Sequence, residues 1–236
     1  MKKGIVVYIL VGMFIFGLAA YGFAETVEET LKKTFPNFRF DSINPTDIKG
    51  LYEVVLGGEI AYFAPEAGYL ILFGQIIGKD GINVTENRKI GMFLTKAKNL
   101  SLEKAVKIGN GKTAVIEFTD PDCPYCRKAS SFFSQRNDVT RYVFFLPLPF
   151  HKDAENKVKY IFCSEDKTKA YEEAMSGRLD NQKYEVCKRQ DVDDLLKFHK
   201  ETVARMGINS TPFFIINNKT ISGADILKIE EALKEK

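Results

Sequence analysis

Cys123-Pro124-Tyr125-Cys126 is the feature that most narrows the fold, because of what flanks it. Ala114 to Phe118 is a short β-branched and aromatic run of buried-strand type, and Arg127 to Arg136 has helical character. A strand feeding straight into a helix places both cysteines at the helix mouth, with their sulfurs within disulfide distance. In that arrangement Cys123 is expected to be exposed for attack, and Cys126, one helical turn on, to be more enclosed. Thr211-Pro212 lies well downstream, and two lone cysteines, Cys163 and Cys187, fall between. The set points to thiol–disulfide exchange.

The start of the chain bears on the redox environment. Met1-Lys2-Lys3 is positive, Ile5 to Ala20 is almost unbroken apolar sequence, and Gly22-Phe23-Ala24 supplies the small residues of a cleavage site, so 1–24 reads as a secretory signal peptide. A run of that length nearly spans a bilayer, which makes an uncleaved anchor the competing reading. Either way the remainder is expected to be exported, to the periplasm, where disulfides persist. Nucleic acid is excluded as a partner class. The net charge is only +3, and basic residues alternate with acidic ones along apparent helices such as Lys228 to Lys236.

The spacing predicts a helix over Thr26 to Phe35, ended by Pro36. Leu51 to Leu56, Glu59 to Ala64 and Tyr69 to Ile77 then read as a three-stranded meander, punctuated by Gly57-Gly58 and Pro65-Glu66-Ala67-Gly68. A helix plus a meander has few residues with which to build a core, so residues 25–84 are marginal alone and dimerisation would help them, with the last strand able to pair at its edge and a solvated edge in a monomer as the alternative. Residues 85–111 are polar and lysine-rich, with Ser101 as a helix cap, and read as a partly helical linker. Residues 112–236 form the remaining domain. Its order is strand, helix, strand over Arg141 to Leu146, a helical insert through Lys157 to Phe198, a helix stopping at Gly207, strands at Phe213 to Ile216 and through Ile221, and a final helix from Asp225. Asn217-Asn218 supplies the hairpin turn.

This β-α-β, insert, β-β-α order is an α/β (α+β) arrangement of the thioredoxin type. The segment Phe118-Thr119-Asp120-Pro121-Asp122-Cys123-Pro124-Tyr125-Cys126-Arg127-Lys128 resembles the active-site segment of the periplasmic DsbC/DsbG thiol:disulfide isomerases. Arg141-Tyr142-Val143 is similar to that family's second strand, Lys167 to Gly177 to its helical insert, and Gly207 to Pro212 to the loop carrying its cis-proline. The meander matches its dimerisation domain in position and size. The resemblance implies a V-shaped homodimer whose catalytic domains face a shared apolar cleft. It also implies a structural disulfide between Cys163 and Cys187, against the alternatives of a second redox-active pair or of a zinc site made with the C-x-x-C. Two departures stand out. The linker is longer and contains Gly91 and Asn99, and Glu117 replaces the usual apolar residue, at an offset where the oxidase DsbA and thioredoxin carry a buried acid.

Cys123 is the expected nucleophile, since the N-terminus of the following helix favours its thiolate. Cys126 is expected to resolve stalled mixed disulfides. Thr211-Pro212 is expected to be cis, with Pro212 beside the cysteines and the Thr211 backbone pairing with an extended substrate. Pro124 and Tyr125 tune the thiol potential, and Glu117 is a candidate proton acceptor for Cys126, with a solvated or linker-paired carboxylate as the alternative. His151 and His199 have no partner at catalytic spacing. No metal or cofactor is expected.

The resulting reading is a dimeric periplasmic disulfide isomerase and reductase. It would act on misfolded exported proteins and be kept reduced by a membrane thiol reductase of the DsbD type. A DsbA-like oxidase is the first alternative, disfavoured by the long segment ahead of Cys123. A DsbG-like reductase or chaperone protecting single cysteines is the second.

Overall fold

Thr26 opens the first helix with a reciprocal cap. Its side-chain oxygen accepts from the Glu29 N–H at 3.2 Å, and its own N–H donates to the Glu29 carboxylate at 2.8 Å. Helix α1, Val27–Thr34, stops at Phe35, just ahead of Pro36. The computed structural model describes residues 25–235, so the segment read as a signal peptide lies outside the described residues.

Four strands follow in a sheet of order β1-β2-β3-β4: Ser42–Pro45, Tyr52–Leu56, Glu59–Ala64 and Tyr69–Ile71. The expected meander is thus four-stranded. Strand β1 escapes a pattern search because Ser42-Ile43-Asn44-Pro45 holds a single β-branched residue and ends in proline, which is tolerated at an edge. The last strand is shorter than the run Tyr69 to Ile77 suggests, because Phe73 takes a positive φ of 59° and breaks the extended chain. Leu31, Val54, Ala61 and Phe63 make a small core, with Phe35 meeting Phe63 edge-on at 6.2 Å.

The described chain divides into two compact units, one of residues up to Leu56 with Ala61–Leu72, the other of Gly57–Ile60 and Phe73 onward. Within the second, the 85–111 stretch is mostly regular structure. Helix α2, Val84–Ala97, is capped by Asn83, which accepts from the Glu86 N–H at 2.9 Å, and it runs through Gly91 without a break. Ser101 precedes only a 3-10 turn, Leu102–Lys104, and makes no side-chain cap. Strand β5, Val106–Ile108, then joins the larger sheet.

That sheet has the order β5-β7-β6-β8-β9, with β6 (Thr113–Thr119) parallel to β7 (Val139–Phe145) and antiparallel to β8 (Phe213–Ile216). Strand β9, Lys219–Ser222, pairs with β8 across an Asn217-Asn218 turn whose residues both have positive φ. Because side chains alternate along β6, Val115 packs with α3 (Pro124–Phe133) and α7 (Ile226–Lys234). Phe118 packs on the opposite face with α2 and α6 (Gln190–Met206). Gly207, at φ 73°, ends α6. Helices α4, Ala154–Cys163, and α5, Lys167–Met175, form the insert and bury Tyr171 completely.

His199 on α6 is wholly buried among aromatic rings. Its Nδ1 accepts from the Phe145 N–H at 3.0 Å and its Nε2 lies 2.9 Å from the Lys104 carbonyl, which fixes a neutral tautomer. Burial pushes its pKa down to about 4. The unfolded chain, with an imidazole near pH 6.5, then binds the extra proton first. Stability is complete above about pH 6.5 and falls toward pH 4, by about 3 kcal/mol over the window. Urea midpoints at successive pH values should show this loss, and His199→Gln should flatten the curve.

Candidate active site

Strand β6 ends at Thr119, the chain turns through Asp120-Pro121-Asp122, and Cys123 becomes the N-cap of α3 with Pro124 at the first helical position. Proline there sacrifices no helical hydrogen bond. The backbone N–H groups of Tyr125 and Cys126 are thereby turned toward the Cys123 sulfur. The thiol of Cys126 also donates to it. That hydrogen bond is the largest influence, and with the helix N–H groups it outweighs burial and brings Cys123 down to about 6. Cys126 behaves in the opposite way: full burial, together with its role as donor, drives its pKa strongly upward. The surroundings therefore favour the thiolate at Cys123 and the thiol at Cys126.

The expected exposure of Cys123 is corrected by the structure: the residue is only 5% exposed. The loop carrying the Thr211–Pro212 peptide, which is cis, covers the sulfur, and the Thr211 carbonyl oxygen lies 3.6 Å from it. Aromatic side chains take the exposed positions instead, with Tyr125 at 66% and Phe150 at 72%.

A buried acid stands behind the pair. Asp120 donates its backbone N–H to the Cys126 sulfur at 3.4 Å, and its carboxylate accepts from the N–H groups of Asp122 and Leu148 at 2.8 and 2.7 Å. His151 Nδ1 completes the shell at 2.9 Å from the same carboxylate. His151 has no partner at catalytic spacing in the sequence and finds this one because the loop after β7 folds back onto the turn that precedes Cys123.

On the other flank, Arg127 holds Asp180 through two hydrogen bonds of 2.6 and 2.8 Å, Asp122 at 3.2 Å and the Pro121 carbonyl at 2.7 Å. Lys157 on α4 bridges the same two carboxylates, and its pairing with Asp180 measures 2.5 Å. Arg127 and Lys157 together hold Asp180 down to about 2. This network pins the turn that presents Cys123. The disulfide Cys163–Cys187, with Cα atoms 5.8 Å apart, ties the end of α4 to the irregular segment that follows Asp180.

Glu117 is fully buried, so the solvated alternative does not apply. Its carboxylate takes a hydrogen bond from Arg141 at 3.2 Å and one from the Tyr171 hydroxyl at 3.1 Å, and Arg141 also donates to the Tyr171 oxygen at 3.0 Å. Neither Arg141 nor Tyr171 is an expected partner of Glu117 from the sequence alone. A signal existed, since a lone Glu in one apolar strand and a lone Arg in the next are mutual solutions to burial.

Comparison with known proteins bears on the family of the chain. Residues 19–86 match the family model described as the disulfide bond isomerase protein N-terminal domain, and residues 100–227 match the thioredoxin-like domain. The thiol:disulfide interchange protein DsbC of Escherichia coli K12 is 27% identical over 229 residues, covering 94% of this chain and 90% of that protein. The probable DsbC of Bordetella pertussis is 27% identical over 154 residues, 64% of this chain and 54% of its own length. A disulfide interchange protein from Neisseria gonorrhoeae superposes with a TM-score of 0.48 at 29% identity, covering 58% of this chain and all of that one.

Proposed function

The chain belongs to the thioredoxin-like family of thiol:disulfide isomerases, and we propose that Cys123 is its nucleophile and Cys126 its resolving thiol. The opposite protonation of the two sulfurs carries this reading. The Cys123 thiolate attacks one sulfur of a wrongly formed disulfide, making a mixed disulfide and releasing the other sulfur as a thiolate. That thiolate attacks a second disulfide of the same substrate, and the sulfur freed there displaces Cys123. The net result is rearrangement with no change in the number of disulfides. The lowered pKa serves both directions, because Cys123 is then also a good leaving group. When rearrangement stalls, Cys126 attacks Cys123 and the substrate departs reduced.

Thr211 supports this work by offering its backbone beside the sulfur, and Pro212 shapes that loop. Pro124 sets the helix start, Tyr125 presents an aromatic face to the substrate, and Glu117 acts within its buried network. The Cys163–Cys187 bridge is structural. Residues 25–84 act as the dimerisation domain, 85–111 as the connection and 112–236 as the catalytic domain. The edge strand β4, with Tyr69 70% and Ile71 43% exposed, supports pairing with a second copy. Substrates are misfolded exported proteins in the periplasm, and a membrane thiol reductase of the DsbD type returns the pair to the dithiol. Among the described residues no helix is long and apolar enough to cross a membrane.

The test is recovery of activity from a scrambled multi-disulfide protein in a glutathione buffer. Reduced full-length protein should accelerate it several-fold over buffer. Rapid oxidation of a reduced substrate without rearrangement would favour the oxidase reading instead.

A further inference from the structure

Resolution places a negative charge on the most enclosed sulfur of the site. Cys126 is completely buried, and burial opposes its ionisation. What surrounds that sulfur therefore governs how fast a stalled mixed disulfide is cleared. The Asp120 N–H points at it from 3.4 Å. Two hydroxyls flank it as well, those of Thr119 and Thr211. Both hydroxyl oxygens are buried, and among the described residues neither meets full hydrogen-bond geometry with any partner. Thr119 as a whole is fully buried at the last position of β6, opposite Phe145 of β7. Buried polar groups are nearly always paired, and the exceptions gather where chemistry needs them. Valine would fill the same β-branched space in this strand without the orphaned oxygen.

We propose that Thr119 is a catalytic residue of the resolution step: its hydroxyl, with the Asp120 N–H and the Thr211 hydroxyl, donates to the Cys126 thiolate as that thiolate attacks Cys123. The inference rests on the roles proposed above for the two cysteines. In the step, the Cys126 sulfur forms a bond to the Cys123 sulfur while the bond from Cys123 to the substrate sulfur breaks. The substrate sulfur leaves with the bonding pair and takes up one proton, balancing the one lost by Cys126. The substrate sulfur is reduced and the cysteine pair oxidised, with no further oxidant or reductant. Attack by Cys123 on a substrate does not use the Thr119 hydroxyl, so the two half-reactions separate.

The experiment uses the full-length reduced protein in single-turnover reactions with a disulfide-linked peptide, following formation and decay of the mixed disulfide. In Thr119→Val, formation should stay within about twofold of wild type, and decay should slow by about tenfold or more, the value of a hydrogen bond to a buried charge. The rising limb of the decay rate against pH should also move to higher pH. Thr119→Ser should restore decay, and thermal unfolding of reduced Thr119→Val should be at or above wild type, because an unpaired polar atom has gone. Thr119→Ala makes the same deletion without new bulk, should the valine variant fold poorly. Decay at the wild-type rate in the folded hydroxyl-less variants, or a serine variant as slow as they are, overturns the proposal. Failure of Cys126→Ala to accumulate any mixed disulfide would instead overturn the cysteine assignment beneath it.

Discussion

Cys123→Ser should reduce disulfide rearrangement to the uncatalysed rate while leaving the fold intact. A serine hydroxyl is not ionised at neutral pH, so the helix N-terminus has no anion to present, and no mixed disulfide forms. The substitution is gentle structurally. Cys123 occupies the N-cap of α3 without making a side-chain capping bond, and serine is a preferred N-cap residue. Thermal stability should therefore hold or rise while activity disappears, which separates a chemical role from a packing role. Cys126→Ala makes the contrast. Attack persists, but mixed disulfides accumulate, and intact-mass analysis of a trapped peptide should locate the link at Cys123. A Cys123→Ser protein that still rearranges disulfides would move the chemistry elsewhere.

Arg141→Met should destabilise the protein by about 3–5 kcal/mol, the cost of stranding a buried charge. Arg141 and Glu117 expose only 4% and 0% of their side chains, so no solvent can replace the lost partner. The guanidinium also lies over the Phe133 and Tyr171 rings at 5.2 and 5.0 Å, and methionine keeps part of that contact. The cost therefore falls mainly on the abandoned carboxylate. Arg141→Met combined with Glu117→Leu should recover most of the loss, since an apolar pair of similar volume needs no compensation. Denaturant melts of the two single variants and the double variant measure the coupling. Additive losses would show that the pair is not interacting.

How far the chain could be read before folding follows from where its information lies. The β6-to-α3 unit was legible because a β-branched run abuts a cysteine and a proline that start a helix, all within a dozen residues or so. Thr211-Pro212 was legible by its residue type together with its place in the element order. Strand β5 was not, because Val106-Lys107-Ile108 is too short to show a period and takes its identity from pairing with β7. The shell around Asp120 was invisible for a related reason: His151 reaches it only through the path of the loop after β7. The same limit applies to Arg127 and Asp180, which meet across the insert. The reading of Cys123 as exposed failed because a helix mouth alone does not reveal the loop that closes over it.

The central claim is that the two sulfurs differ in protonation. Ultraviolet thiolate absorbance of the reduced protein against pH tests it most directly. One thiol should ionise with a midpoint of about 6, the signal should vanish in Cys123→Ser, and in Cys126→Ala the midpoint should rise as the donating thiol is lost. No ionisation until near the free-cysteine value of about 8.5, or two thiols titrating together, would contradict it.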